Sequence, residues 1–404
     1  MVFSWYCLAS QVSPSSLFRP VVDFYLFLTI IPGWFILLVT KDFAGGFSMK
    51  HIVLTGGGTA GHVTPNIALV PVLREAGYQI SYIGSYEGIE RKLIEELDIP
   101  YYGISSGKLR RYFDVKNFTD PFRVLKGFYE AKKLLKQLKP DVVFSKGGFV
   151  TVPVVIAAKK CKIPAIIYES DMTPGLANKL CISSAVKICC NFPETVDSLP
   201  KEKAVLTGTP IRQELLNGNP EAGRQFCGFT SEKPVIMVIG GSLGAASVND
   251  HIRRILPQLL EEFQVIHLCG KGKTDESLTG TAGYVQYEYI KKELADLFAL
   301  ADIVISRAGA NAICEISALH KPNLLIPLSA NASRGDQILN ARSFERQGFS
   351  MVLEEEEITD EKLLSSIRRL YEDRHVYEKA MASGKQMDSI HHIVSLIEEC
   401  VSSR

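Results

Sequence analysis

His51-Ile52-Val53-Leu54-Thr55-Gly56-Gly57-Gly58-Thr59-Ala60-Gly61-His62 is a short apolar run that opens directly into a glycine-rich turn. Val235-Ile236-Met237-Val238-Ile239-Gly240-Gly241-Ser242-Leu243-Gly244-Ala245 repeats the arrangement in the second half of the chain. A short apolar run ending in glycines reads as a buried parallel strand. Glycines between a strand and a helix let the backbone approach a phosphate at the helix N-terminus. Two such turns in matched positions weigh against a purely structural tight turn at either.

Outward from these turns the pattern alternates. His51–Thr55, Ile80–Ile83, Val142–Phe144 and Ala165–Tyr168 read as strands, with helices over Pro65–Glu75, Ile89–Leu97, Val124–Leu138 and Val152–Lys159. After a polar stretch (213–234) containing Gly218, Asn219, Pro220, Gly223 and Pro234, which has linker composition, strands recur at Val235–Ile239, Val265–Cys269, Ile303–Ser306 and Asn323–Pro327. The predicted class is α/β: two Rossmann-like doubly wound domains, 49–212 and 213–374, facing each other across a cleft, with a final helical segment over 375–404. In such sheets ligands bind beyond the carboxyl ends of the strands, so the cleft is the expected site.

Composition excludes some functions. The 404 residues carry 45 Lys+Arg against 44 Asp+Glu, so no overall charge calls for nucleic acid. Nine cysteines form no C-x-x-C pair, and there is no D-x-D, so neither a metal nor a redox cofactor is expected. Residues 1–48 differ from the rest. Phe24 to Thr40 is uncharged and largely apolar, a short candidate membrane anchor that Asp23, Pro32 and Gly33 weaken. It lacks the basic start of a secretory signal. A third reading takes Met49 as the true start, since codons for Ala44-Gly45-Gly46 can contain a bacterial ribosome-binding sequence.

Gly56, Gly58 and Gly61 also fit G-x-G-x-x-G, a dinucleotide fingerprint that wants an acidic residue at the end of the next strand. That strand ends Ile83-Gly84-Ser85, and Glu87 comes late, so an oxidoreductase is the alternative reading. Ser306 to Glu315 is a second strand–turn–helix, and a carboxylate at Glu315 can accept both hydroxyls of a ribose. Arg212, closing Gly208-Thr209-Pro210-Ile211-Arg212 at the domain junction, suits a diphosphate leaving group. Between Lys108 and Lys139 ten basic residues face three acids, interleaved with Tyr112, Phe113, Phe118, Phe122 and Phe128. That mixture suits an anionic membrane surface; a solvated helix face is the plainer reading.

Taken together, Gly56–Asn66, Lys146–Pro153, Glu169–Lys179, Gly208–Arg212, Gly240–Ala245, Arg307–Glu315 and Gln337–Asn340 resemble the MurG family of glycosyltransferases. The resemblance covers essentially all of 49–404. It implies a glycosyltransferase B fold without metal or cofactor, on the cytoplasmic side of the cell membrane. The implied substrates are UDP-N-acetylglucosamine, bound in the second domain, and an undecaprenyl-diphosphate-linked muramyl-pentapeptide, bound in the first. An anionic inner-membrane surface is the implied docking partner.

By match of motif, Ser242 and Arg212 would hold the diphosphate, Glu315 the ribose, Gln337 the sugar and Ile290 the uracil. Thr59, Gly61, Gly244, Asn311, Ala312 and Asp336 complete the donor side; Gly57, Gly58, His62, Asp171 and Asn178 form the acceptor side. His62 is the expected general base, since an imidazole titrates near neutral pH; its alternative role is to hold the lipid diphosphate. Three positions depart from the family pattern: Ala60 for glycine, Asp171 for asparagine and Asp336 for glutamine. Carboxylates in place of amides only accept hydrogen bonds when ionised, which points to a divergent copy. A glycolipid synthase with another acceptor, or a non-catalytic binder of UDP-sugar or lipid precursor, stands as the alternative.

Overall fold

The computed structural model describes residues 29–31, 34–36, 49–107, 116–230, 232–241, 244–331, 335–384 and 388–403, with side chains except at 29–31, 34–36 and 116–121. The chain divides into two compact units, Met1–Ser48 and Met49–Arg404. In the first, β1 (Thr29–Ile31) and β2 (Trp34–Ile36) pair antiparallel with Ile31 opposite Trp34. The described part of the run read as a candidate anchor is therefore extended and paired, and the rest of it lies outside the described residues. No described helix is long and apolar enough to cross a membrane.

The second unit holds two parallel sheets. In the first domain β3 (His51–Thr55), β4 (Gln79–Ser85), β5 (Tyr101–Ile104), β6 (Val142–Ser145), β7 (Ala165–Glu169), β8 (Lys187–Cys190) and β9 (Ala204–Leu206) lie in the order β5-β4-β3-β6-β7-β8-β9. Helices α1 (Thr64–Glu75), α2 (Ile89–Glu95), α3 (Lys116–Leu138), α4 (Thr151–Lys160), α5 (Leu176–Cys181) and α6 (Pro193–Asp197) connect them.

The second domain places β10 (Val235–Ile239), β11 (Gln264–Leu268), β12 (Tyr284–Tyr287), β13 (Ile303–Ser306), β14 (Asn323–Leu325) and β15 (Met351–Val352) in the order β12-β11-β10-β13-β14-β15. Its helices are α7 (Gln213–Leu216), α8 (Pro220–Cys227), α9 (Ala246–Arg254), α10 (Leu256–Glu262), α11 (Leu294–Leu300), α12 (Ala310–Ala318), α13 (Asp336–Arg346), α14 (Asp360–Glu372) and α15 (Arg374–Ser383), followed by α16 (Ser389–Ser402). Both sheets reverse direction beside the strand that carries a glycine turn, between β3 and β6 and between β10 and β13. That reversal opens a crevice at the strand ends in each domain.

Alternation along each central strand builds two cores. Ile52 and Leu54 face one layer, packed on α1 and α16, while Val53 faces the other, packed on α3 and α4. Burial on both faces is why β3 reads as a continuous apolar run. A further apolar cluster spans the domains: Phe192, after β8, meets Phe344 of α13 edge to face at 5.9 Å.

Two boundaries differ from the sequence reading. The stretch 213–234, read as linker, holds α7 and α8. Its turn-forming residues are helix caps: the Asn219 side chain accepts from the Glu221 and Ala222 amides, Pro220 opens α8, and Gly228 closes it at φ 65°. The final segment also divides. α16 leaves the second domain and buries Ile390, Ile393, Val394, Leu396 and Ile397 against the core of the first.

Candidate active site

The first glycine turn is shaped from below by a carboxylate. Glu90 of α2 is fully buried and accepts the Gly58 amide (3.2 Å), the Ser85 amide (3.0 Å) and the Ser85 hydroxyl. A Cβ on Gly57 would lie 2.5 Å from Glu90 Oε1, so glycine there makes room for the carboxylate. The Gly57 amide reaches the Gly147 carbonyl at 3.3 Å and joins this turn to the one after β6. Sequence reasoning looked for an acid near the end of β4 and weighed Glu87; it missed Glu90, three residues on. Glu90 is consumed by backbone amides and is not placed to hold a ribose, which weighs against the oxidoreductase reading.

Beyond the glycines the chain makes a 3-10 turn over Ala60–His62. His62 Nδ1 lies 3.0 Å from the Thr59 hydroxyl, and the Gly61 carbonyl accepts Asn311 Nδ2 of α12 at 2.8 Å. The imidazole is thus held at the lip of the first domain while the next residue back is tied to the second.

A cavity of about 1300 Å³ lies at this junction. Of the predicted site residues it brings together Gly57, Gly58, Thr59, His62, Asp171, Asn178, Asp336 and Gln337. Arg212, Gly244, Ile290, Asn311, Ala312, Glu315 and Gly61 are not among its walls, and Ser242 lies outside the described residues. The cavity is thus lined mainly by the first domain, reaching the second at Gly309, Asp336 and Gln337.

In the second domain Gly244 has φ 67°, and a Cβ there would sit 1.9 Å from the Cys269 carbonyl oxygen, so only glycine fits before α9. Arg212 and Glu315 face each other at 3.7 Å. Burial raises the Glu315 carboxyl above its ordinary range, opposed by the Arg212 charge. The two groups expected to hold separate parts of a nucleotide are therefore paired with each other. Ile290 is buried among Met237, Ile266 and Leu297. Gln337 accepts the Leu328 amide through Oε1 at 3.0 Å.

The departures Asp171 and Asp336 both lie on the seam between domains. The Thr173 hydroxyl donates to Asp336 Oδ1 at 2.8 Å, and Asn340 Nδ2 donates to Asp171 Oδ1 at 3.2 Å. Asn340 Oδ1 accepts the Met172 amide at 3.0 Å. Each carboxylate accepts from the opposite domain, a role the sequence did not assign.

Sequence reasoning also missed Lys146, the residue after β6. It is 1% exposed and lines the cavity, and its Nζ lies 4.1 Å from the Tyr168 ring centre. Asn178 donates to the Tyr168 carbonyl (3.0 Å) and to Glu169 Oε2 (2.9 Å).

Of the basic stretch, 108–115 and the side chains of 116–121 lie outside the described residues. The remainder of α3 exposes Phe122, Leu125 and Tyr129, at helical spacing, beside Arg123 and Lys126.

Residues 52–189 match the glycosyltransferase family 28 N-terminal domain, and 235–394 match its C-terminal domain. The chain is similar to a protein of Lachnospira eligens named UDP-N-acetylglucosamine--N-acetylmuramyl-(pentapeptide) pyrophosphoryl-undecaprenol N-acetylglucosamine transferase. They share 67% identity over 87% of this chain and 99% of that one. A Clostridium botulinum protein of the same name is 58% identical over the same shares. Among solved structures, MurG of Acinetobacter baumannii superposes with a TM-score of 0.68 at 27% identity, over 87% of this chain and 99% of that one. A UDP-N-acetylglucosamine 2-epimerase shares the fold, at a TM-score of 0.62 and 14% identity.

Proposed function

Because this chain belongs to glycosyltransferase family 28, and within it to the MurG family, we propose that it moves N-acetylglucosamine from UDP-N-acetylglucosamine to the lipid-linked muramyl-pentapeptide. That step converts lipid I to lipid II in peptidoglycan synthesis. The observation that carries this reading is the 67% identity over nearly the whole length of a transferase of that name.

The walls of the cleft and the Arg212–Glu315 pair beside it support a single displacement. The acceptor hydroxyl attacks the anomeric carbon from the face opposite UDP, so configuration inverts in a single displacement. His62 takes the hydroxyl proton. With the ring hydrogen on Nδ1, donated to Thr59 Oγ, Nε2 is the basic nitrogen of the ring. Charge grows on the departing diphosphate, where Arg212 and the amides of the turn before α9 oppose it. No metal is assigned a part. Arg212 holds the diphosphate and Glu315, 3.7 Å from it, accepts the ribose hydroxyls. The exposed aromatic and basic face of α3 docks on the anionic cytoplasmic face of the membrane, within reach of a lipid-borne acceptor.

The test is radiolabel transfer from UDP-N-acetylglucosamine to a short-chain analogue of the acceptor, with chelator present. Transfer supports donor, acceptor and metal independence together. No transfer with UDP-N-acetylglucosamine still bound overturns the acceptor. His62→Ala is expected to cut turnover by about 10²–10⁴-fold and leave UDP-N-acetylglucosamine affinity unchanged; lost nucleotide binding would overturn its assignment as base.

A further inference from the structure

α13 belongs to the second domain, yet the first domain grips it from end to end. In its first turn Asp336 Oδ1 accepts the Thr173 hydroxyl at 2.8 Å. One turn on, Asn340 accepts the Met172 amide at 3.0 Å and donates to Asp171 Oδ1 at 3.2 Å. Toward its end the Ser343 hydroxyl (2.9 Å) and Arg346 (2.6 Å) both reach Glu194 Oε1 of α6. Positions 336, 340, 343 and 346 recur at steps of three or four residues, so they share one face of the helix.

The first of these contacts bears on the site. α13 starts without a side-chain cap of its own, since Gly335 precedes it at φ 78°. Asp336 and Gln337, in that first turn, both line the cavity, whereas Thr173 does not. Gln337 accepts the Leu328 amide through Oε1 at 3.0 Å, which leaves Nε2 to donate to a ligand. A hydroxyl-to-carboxylate bond is charge-assisted and directional. Thr173 therefore fixes, from behind the wall, the turn on which Gln337 stands.

We propose that Thr173 of the first domain is a positioning residue for the donor sugar: its bond to Asp336 sets the first turn of α13, and with it Gln337, over the cavity. The second domain then reads the sugar fully only while the first domain holds α13. The nucleotide is held separately. Arg212 and Glu315, paired at 3.7 Å, are not among the walls that Asp336 and Gln337 form.

This inference rests on the donor reading above, and the experiment separates the two. Affinities for UDP and for UDP-N-acetylglucosamine are measured by titration calorimetry on the full chain and on Thr173→Val, Thr173→Ala and Thr173→Ser. Valine and alanine both remove the hydroxyl. Each is expected to weaken UDP-N-acetylglucosamine binding on the order of tenfold, with UDP affinity kept. Serine retains the hydroxyl and should restore the affinity. On an Asp336→Ala background, Thr173→Val should cost nothing further, because the partner it acts through is gone.

Equal losses for UDP and UDP-N-acetylglucosamine overturn the proposal, since they are what a general loosening of the seam produces. So do an unchanged UDP-N-acetylglucosamine affinity in the valine and alanine variants, a loss that serine does not restore, and a Thr173→Val loss that persists without Asp336. Each of those results leaves the donor reading standing. If the unaltered chain binds no UDP-N-acetylglucosamine, the donor reading fails and takes the proposal with it.

Discussion

Glu90 shows how one buried residue sets a loop that lines the cavity. Its carboxylate gathers the Gly58 and Ser85 amides and the Ser85 hydroxyl, and the glycines around it are the space it needs. Charge-assisted bonds to a carboxylate are the stronger kind, and removing a buried acceptor strands its donors. Glu90→Ala is expected to lower stability by about 1–3 kcal/mol and to raise acceptor KM with UDP-N-acetylglucosamine affinity unchanged. Thermal unfolding and steady-state kinetics check this, and an unaltered KM would mean that the turn keeps its shape without the carboxylate. His62 belongs to the same scale: a titrating ring is useful only if oriented, and the Thr59 hydroxyl at 3.0 Å supplies the orientation.

Among elements, those with a strong period were legible. His51–Thr55, Val235–Ile239 and Ile303–Ser306 were read with the bounds they have, because central parallel strands are apolar on both faces. The edge strands β5, β9 and β15 were missed because their side chains are only half buried and carry no such run. α8 was misread for a different reason: Gly218, Asn219 and Pro220 signal a linker and a helix start equally well, and only packing distinguishes them. Gly218 and Gly223 abut the backbone of α11, where a Cβ would lie 2.0 Å from the Ala295 carbonyl oxygen and 2.6 Å from that of Asp296. Asn219→Ala, which removes the cap of α8, should cost about 1 kcal/mol, measured by denaturant unfolding; no change would return 213–234 to the status of a passive linker. Of the residues singled out by motif match, eight line the cavity and the other seven described ones do not. Glu90, Lys146, Thr173 and Asn340 escaped because each acts through a partner distant in sequence.

For the molecule as a whole, the two domains meet through a seam that mixes apolar packing with hydrogen bonds. Phe192 and Phe344 form its dry part, and Thr173–Asp336, Asn340–Asp171 and Asn311–Gly61 its polar part. Lys291 and Glu96 add an exposed ion pair at 2.6 Å, which contributes little in salt. α16 supplies a second tie of another kind, since its apolar face completes the first core from the far end of the sequence. Ile393 is fully buried there. Ile393→Ala should destabilise the chain by about 2–5 kcal/mol, with the loss seen in unfolding of the first domain by hydrogen exchange. Loss confined to the second domain would contradict this account of α16.

That tie has a temporal consequence. Domains of a nascent chain ordinarily fold in the order in which they are made. Here the first-made core lacks a wall until residues 389–402 exist, so the entire second domain must be synthesised while the first remains incomplete. At about 5–20 residues per second the delay is roughly 10–40 s, during which the apolar faces of α1 and β3 lack their final cover. The chain is thus exposed to aggregation and to chaperones for a time set by translation, and a stall anywhere in the second domain lengthens the exposure of the first.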